Sequence, residues 1–134
     1  MWKRLISARV SGMILLIAMT AMLVVHVLIA AGVMPSDFIW GGRIGSETEL
    51  LVMEGIAIAA TLLFMGLIAL KTGLAGRAKF RRTAAVGAWI VFAYFLLNTA
   101  GNLASEAALE RTLFVPVTIV LTLLALRVAM EESA

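Results

Sequence analysis

Four long apolar runs, each broken by a short polar stretch, set the pattern of this chain. The first runs from Val10 to Met34 and contains one ionisable residue, His26. The next three cover Glu47 to Leu70, Thr83 to Asn102 and Thr112 to Met130. Each is close to the roughly 20 residues that an α-helix needs to cross a bilayer core. The pattern therefore predicts an all-α, four-transmembrane-helix bundle, with spans at about 10–34, 47–70, 83–102 and 112–130 in a single domain covering 1–134. The run from Val10 is longer than the ~7–15 residues of a signal-peptide core, so it is read as a retained span.

The breaks carry their own signals. Pro35 is expected to stop the first helix. The stretch Trp40-Gly41-Gly42-Arg43-Ile44-Gly45 follows, with Trp40 suited to the headgroup level. Ser46-Glu47-Thr48-Glu49 reads as a capping box that opens the second helix. Pro116 falls in the first turns of the fourth run, where it removes one backbone hydrogen bond.

Composition makes the membrane reading firmer. Hydrophobic residues are 63% of the chain and charged residues 14%, against roughly 45–50% and about 25% in soluble domains. There is no cysteine, which excludes disulfides, thiolate metal sites and thiol redox chemistry. The net charge is +3, but it is unevenly placed. Lys3, Arg4 and Arg9 precede the first run, and Lys71, Arg77, Lys79, Arg81 and Arg82 separate the second from the third. Basic loops stay in the cytoplasm, so both termini are expected inside a cell inner (plasma) membrane. The charge is thus a topology signal, with anionic lipid contact as a minor addition, and it does not indicate nucleic-acid binding.

The candidate chemistry lies in the polar residues set within the apolar runs. Counted at 1.5 Å per residue from the outer helix ends, His26 lies ~12 Å deep, Glu54 ~6 Å, Asn98 ~7 Å and Thr118 ~9 Å. Tyr94, Asn98 and Asn102 are spaced by four, which places them on one helical face. The inner half carries only Thr20 and Thr61 as mild exceptions. Ionisable residues inside a span are costly and usually face the protein interior, so this layer reads as an outward-facing polar pocket. His26, Glu54, Tyr94, Asn98, Asn102 and Thr118 would line it, and Trp40 and Arg43 would stand at its mouth.

The plain alternatives are specific. Glu54 could be a structural acid paired with Arg43, Arg111 or His26. Asn98 and Asn102 could bond neighbouring helices, and Thr118 its own backbone. Met19, Met22 and His26 share a face, but without cysteine or a second histidine they make no metal site. No cofactor is expected.

Trp40-Gly41-Gly42-Arg43-Ile44, then Glu54, then Leu97-Asn98-Thr99-Ala100-Gly101-Asn102, then Glu110 and Pro116-Val117-Thr118 resemble small bacterial four-helix integral membrane proteins of unknown function. The resemblance covers nearly the whole chain and implies a location and a fold, not a chemistry. Small multidrug exporters differ, since their acid lies in the first span and this one lies in the second.

The leading expectation is a protein that binds or transports a small polar or amphipathic molecule, with Glu54 as the proton- or cation-responsive group. One alternative is an enzyme on a lipid-soluble substrate, with His26 and Glu54 as general acid and base. The other is an accessory subunit whose polar layer only fixes helix packing. The expected partners are the bilayer, a small-molecule or lipid ligand, and a second copy paired through Gly55 and Ala59 or through Ala84 and Ala88.

Overall fold

The computed structural model describes residues 5–33, 45–74, 81–104 and 110–131, without the side chains of Glu110 and Arg111. Trp40 and Arg43 lie outside the described residues. The architecture is all-α. Helix α1 spans Ala8–Ala30, α2 Glu47–Lys71, α3 Arg81–Ala104 and α4 Val115–Met130, and a π-helical turn, Glu110–Phe114, leads into α4. All four helices are long and apolar enough to cross a membrane, α4 when counted from Thr112.

The helix ends follow from local chemistry. Ser7 caps α1 by accepting from the Val10 N–H at 3.1 Å. Ser46 caps α2 by accepting from the Glu49 N–H at 3.1 Å, and the Glu49 carboxylate reaches back to the Gly45 N–H at 3.3 Å. The first helix stops at Ala30, short of Pro35. Gly32 takes φ 81°, its N–H donates to the Ile29 carbonyl, and the Val33 N–H donates to that of Leu28. This pair of bonds is a Schellman ending, and a glycine meets its left-handed position at least cost. Gly73, at φ 78°, ends α2 in a related way. Pro116 stands in the first turn of α4, directly after the π turn. A proline there has no N–H to offer, and a widened turn accommodates the missing bond.

Consecutive helices pack side by side and α4 packs on α1, so the four close into a ring. Contacts between neighbours run with numbers rising in one helix as they fall in the other, as antiparallel packing demands. His26 meets Glu54 and Gly12 meets Thr72 between α1 and α2. Phe64 meets Tyr94 between α2 and α3, Thr99 meets Thr122 between α3 and α4, and Arg127 meets Ile6 at the end of α4. The bundle thus has a His26 end and an Arg127 end. Between them lies a core of Leu15, Met19, Ile68, Val91, Phe95, Leu124 and Val128.

On α1 the buried positions Ala8, Gly12, Leu15, Met19, His26 and Ile29 keep the alternating four–three spacing of a helix seam, with half-buried Met22 filling the gap. His26 is therefore held inside by the register of the whole helix. Burial is unequal around the ring. Half of the α4 span window is buried, against 11% of that of α2. Ala84 and Ala88 are buried in the core at 2% and 0% exposure, so they are not a face for a second copy. Gly55 and Ala59 are exposed, and a Cβ on Gly55 would touch nothing.

Gly12 is required by close approach. A Cβ there would run into Thr72 Cγ2, and Thr72 is held by its hydroxyl bond to the Ile68 carbonyl at 2.8 Å. Gly12→Ala gains up to ~1 kcal/mol of helix propensity, but overpacking costs about 1–3 kcal/mol. We expect a net loss of about 1 kcal/mol in unfolding of the detergent-solubilised protein. Thr72→Ser, which removes Cγ2, should recover most of it in the double variant.

Candidate functional site

The site is built where α1 and α2 face each other near the His26 end. His26 is 6% exposed and Glu54 is fully buried. Nδ1 of His26 and Oε2 of Glu54 are 2.6 Å apart, at the short end of charge-assisted contacts. Either the imidazole N–H donates to the carboxylate, or the protonated acid donates to Nδ1. The pair can thus hold a proton on either partner without breaking its contact. Glu54 sits in the second turn of α2, on the one line of that helix that faces inwards; besides Glu54, only Ile68 is buried on α2 among the described residues.

The early stop of α1 makes His26 shallower than expected, while Glu54 lies deeper than the ~6 Å expected because α2 does begin at Glu47. His26 is four residues from Ala30, ~6 Å by helical rise, and Glu54 is seven from Glu47, ~10 Å. The structural-acid alternative named His26 among the partners of Glu54, and that contact is present; Arg43 and the side chain of Arg111 lie outside the described residues.

The third and fourth helices contribute less uniformly than the four-residue spacing suggests. Asn102 is buried at 9% exposure, whereas Tyr94, at 46%, and Asn98 are exposed on the outer side of α3. Four residues advance a helix by slightly more than one turn, so a stripe eight residues long drifts by ~80°. That drift carries the stripe from the outside, at Tyr94, to the inside, at Asn102. The inward line of α3 is instead Ala84, Ala88, Val91, Phe95, Thr99 and Asn102. The Asn102 amide makes no hydrogen bond among the described residues. Tyr94 packs its ring against Phe64 at 5.0 Å.

Thr118 is buried, and its hydroxyl is turned to its own helix, 2.8 Å from the Phe114 carbonyl and 3.2 Å from that of Val115. One turn further on, Thr122 donates to the Thr118 carbonyl at 2.6 Å, Thr99 to that of Phe95 at 2.9 Å, and the two hydroxyls are 3.2 Å apart. Two hydroxyl protons serve three contacts, so one contact always lacks its proton. Sequence spacing did not single out Thr99 or Thr122. Their signal was present, since Thr99 lies three residues before Asn102 and Thr122 four after Thr118, both helical-face intervals.

The Arg127 end holds a second polar group. Arg127 is buried at 4% exposure, with Nε donating to the Ile6 carbonyl at 2.9 Å and a guanidinium N–H donating to Glu131 Oε2 at 2.7 Å. Lys71 donates to the Glu131 carbonyl. The ends of α1, α2 and α4 are tied together by these bonds. Ser11, fully buried, has no partner for its hydroxyl among the described residues. The expectation that the inner half carries only Thr20 and Thr61 is therefore corrected. Those two hydroxyls bond their own helices, to the Leu16 and Ala57 carbonyls at 2.7 Å each.

Among the described residues no three His, Asp or Glu side chains come together as metal ligands. Trp40 and Arg43 fall in the α1–α2 connection and are outside the described residues. Compared with known protein families, with curated proteins and with solved structures, the chain finds no match in any of the three.

The His26–Glu54 contact should dominate a double-mutant cycle. Glu54→Leu and His26→Leu each strand a buried polar group and should cost about 1–3 kcal/mol. The double variant should cost less than the sum of the two, with a coupling of about 0.5–3 kcal/mol. Additive losses in detergent unfolding would show that the contact carries no stability.

Proposed function

We propose that this chain is a multi-pass membrane protein that binds a small polar or amphipathic molecule at the His26 end of the bundle, with Glu54 as the group that recognises it. The observation that carries this is the His26–Glu54 pair, two ionisable groups bonded to each other inside apolar helices. Such residues are costly in a span and mark functional sites by default. A carboxylate has about four lone-pair positions, so a ligand that offers an N–H or O–H donor suits Glu54. Asn102 supports the same reading. It lies on the inward line of α3 and makes no hydrogen bond among the described residues, so its amide is open to a polar ligand group.

In this reading the helices cross a bacterial inner membrane with both termini in the cytoplasm, following the basic residues around Arg9 and Arg81. The His26 end then faces outwards, and Arg43 and Trp40 stand at the mouth of the site. Binding is favoured over a full transport path, because the Arg127 end is tied shut by its own side chains.

A second reading is favoured by one specific observation. Glu54 has no exposed surface and is already bonded to His26, as a clamp between two helices of an accessory subunit would be.

Thermal unfolding of the purified protein in detergent, across pH and a panel of amines, amides and amphipathic cations, separates the two. A binding site predicts that at least one compound class stabilises the wild type and that Glu54→Gln loses the response. A clamp predicts that Glu54→Gln lowers stability and that no compound shifts either protein. Topology is testable directly, since the chain has no native cysteine. Single substitutions Leu5→Cys and Thr48→Cys should label from opposite sides in intact cells, with Thr48→Cys reacting with an impermeant reagent.

A further inference from the structure

Away from the polar pair, a groove of about 470 Å³ opens between α2 and α3 near the Arg127 end. Leu63 and Leu67 of α2 form one wall, Val86 and Ile90 of α3 the other, and Arg82 and Thr83 lie at its mouth. Gly87 forms the floor of the groove, where α2 and α3 approach closely. A Cβ there would meet the Leu67 side chain at 2.5 Å, so Leu67 lies directly against the α3 backbone. The walls face outwards, with Leu63 62%, Val86 56% and Ile90 53% exposed.

The charge at the mouth has one sign. Arg81 and Arg82 are both exposed, and the first turn of α3 contains no acid. The helix start adds its own partial positive charge. Lys71 donates to the Glu131 carbonyl; among the described residues Arg82 lines the groove and Arg81 precedes it in the chain. From Arg82 to Ile90 the groove runs ~12 Å along α3 by helical rise. An apolar slot ending at Arg82, with exposed Arg81 next to it in the chain, has the form of an acyl chain joined to an anionic head.

We infer that this groove is a binding site for one anionic phospholipid of the leaflet at the Arg127 end, its chain between Leu63, Leu67, Val86 and Ile90 and its phosphate at Arg81 and Arg82. The inference rests on the reading of the helices as membrane spans. It differs from a general attraction of basic loops to anionic membranes, because it requires the apolar walls as well as the charge. Arg81 supports the head, and Arg82 lines both the head and the chain.

The test is native mass spectrometry of the delipidated full chain in detergent. Phosphatidylglycerol, phosphatidylcholine with the same acyl chains, and inorganic phosphate are added separately. The wild type should retain one phosphatidylglycerol in preference to phosphatidylcholine. Arg81→Gln with Arg82→Gln should reduce that preference by about fivefold for each arginine, while Arg82→Lys keeps most of it. Ile90→Trp, which fills the slot without touching the charge, should weaken retention of phosphatidylglycerol as well. Equal retention of the two lipids by the wild type, or an unchanged preference after loss of both arginines, overturns the site. So does undiminished retention by Ile90→Trp, or displacement of phosphatidylglycerol by millimolar phosphate, which would leave an anion site without a lipid chain. Failure of the membrane reading is seen separately, as release of the chain from cell membranes by alkaline carbonate.

Discussion

The bond between His26 and Glu54 fixes what apolar packing alone leaves loose. When the surroundings of a bundle are as apolar as its interior, burying leucine against leucine gains little. Helices of this composition could slide by a turn and exchange one aliphatic contact for another. A buried carboxylate cannot slide in that way, because its partner lies at one position only. The 2.6 Å contact therefore sets the register of α1 against α2. Gly12 and Thr72 set it again some 20 Å away, by shape where the first does so by hydrogen bonding. The Thr99–Thr122 contact and the Arg127–Ile6 bond perform the same task on the other side of the ring.

These polar contacts are not equivalent. At the Arg127 end the guanidinium, the Glu131 carboxylate, the Lys71 ammonium and the Ile6 and Glu131 carbonyls bond to one another. Their donors are spent on the chain's own ends. At the His26 end a carboxylate with several acceptor positions meets an imidazole, and Asn102 is buried without a partner among the described residues. The proposed site lies at the end where a buried acid and a buried imidazole bond across two helices.

The four helices were legible because length and apolar content decide them. His26 and Glu54 were legible because an ionisable residue stands out within such a run. The failures have physical causes. Tyr94, Asn98 and Asn102 were grouped by a spacing of four, but a helix of 3.6 residues per turn moves such a stripe around its axis, and only Asn102 is buried. Arg127 is one basic residue near a helix end, where solvation is the ordinary outcome, and nothing in the polar spacing marks it. Its burial depends on the Ile6 carbonyl and on Glu131, one distant in sequence and one on the following turn. The end of α1 was assigned to Pro35, though Gly32 comes first and fits the left-handed position that closes the helix.

Helix α2 links the two regions of interest, and it is the least buried of the four. Glu54 and Leu63 are nine residues apart, two and a half turns, so they point to opposite sides of the same helix. Glu54 bonds to α1, and Leu63 with Leu67 walls the groove beside α3. A helix held by few buried side chains resists displacement less than one held by many. In α2 that resistance is concentrated at Glu54 near one end and Ile68 near the other, the two positions buried on this helix among the described residues. Occupancy of the groove would press on α2 within one residue of Ile68. A change in the Glu54 contact would act on the opposite end of the same rod. The least buried helix of the ring is thus the one on which the proposed ligand and the proposed lipid would both act.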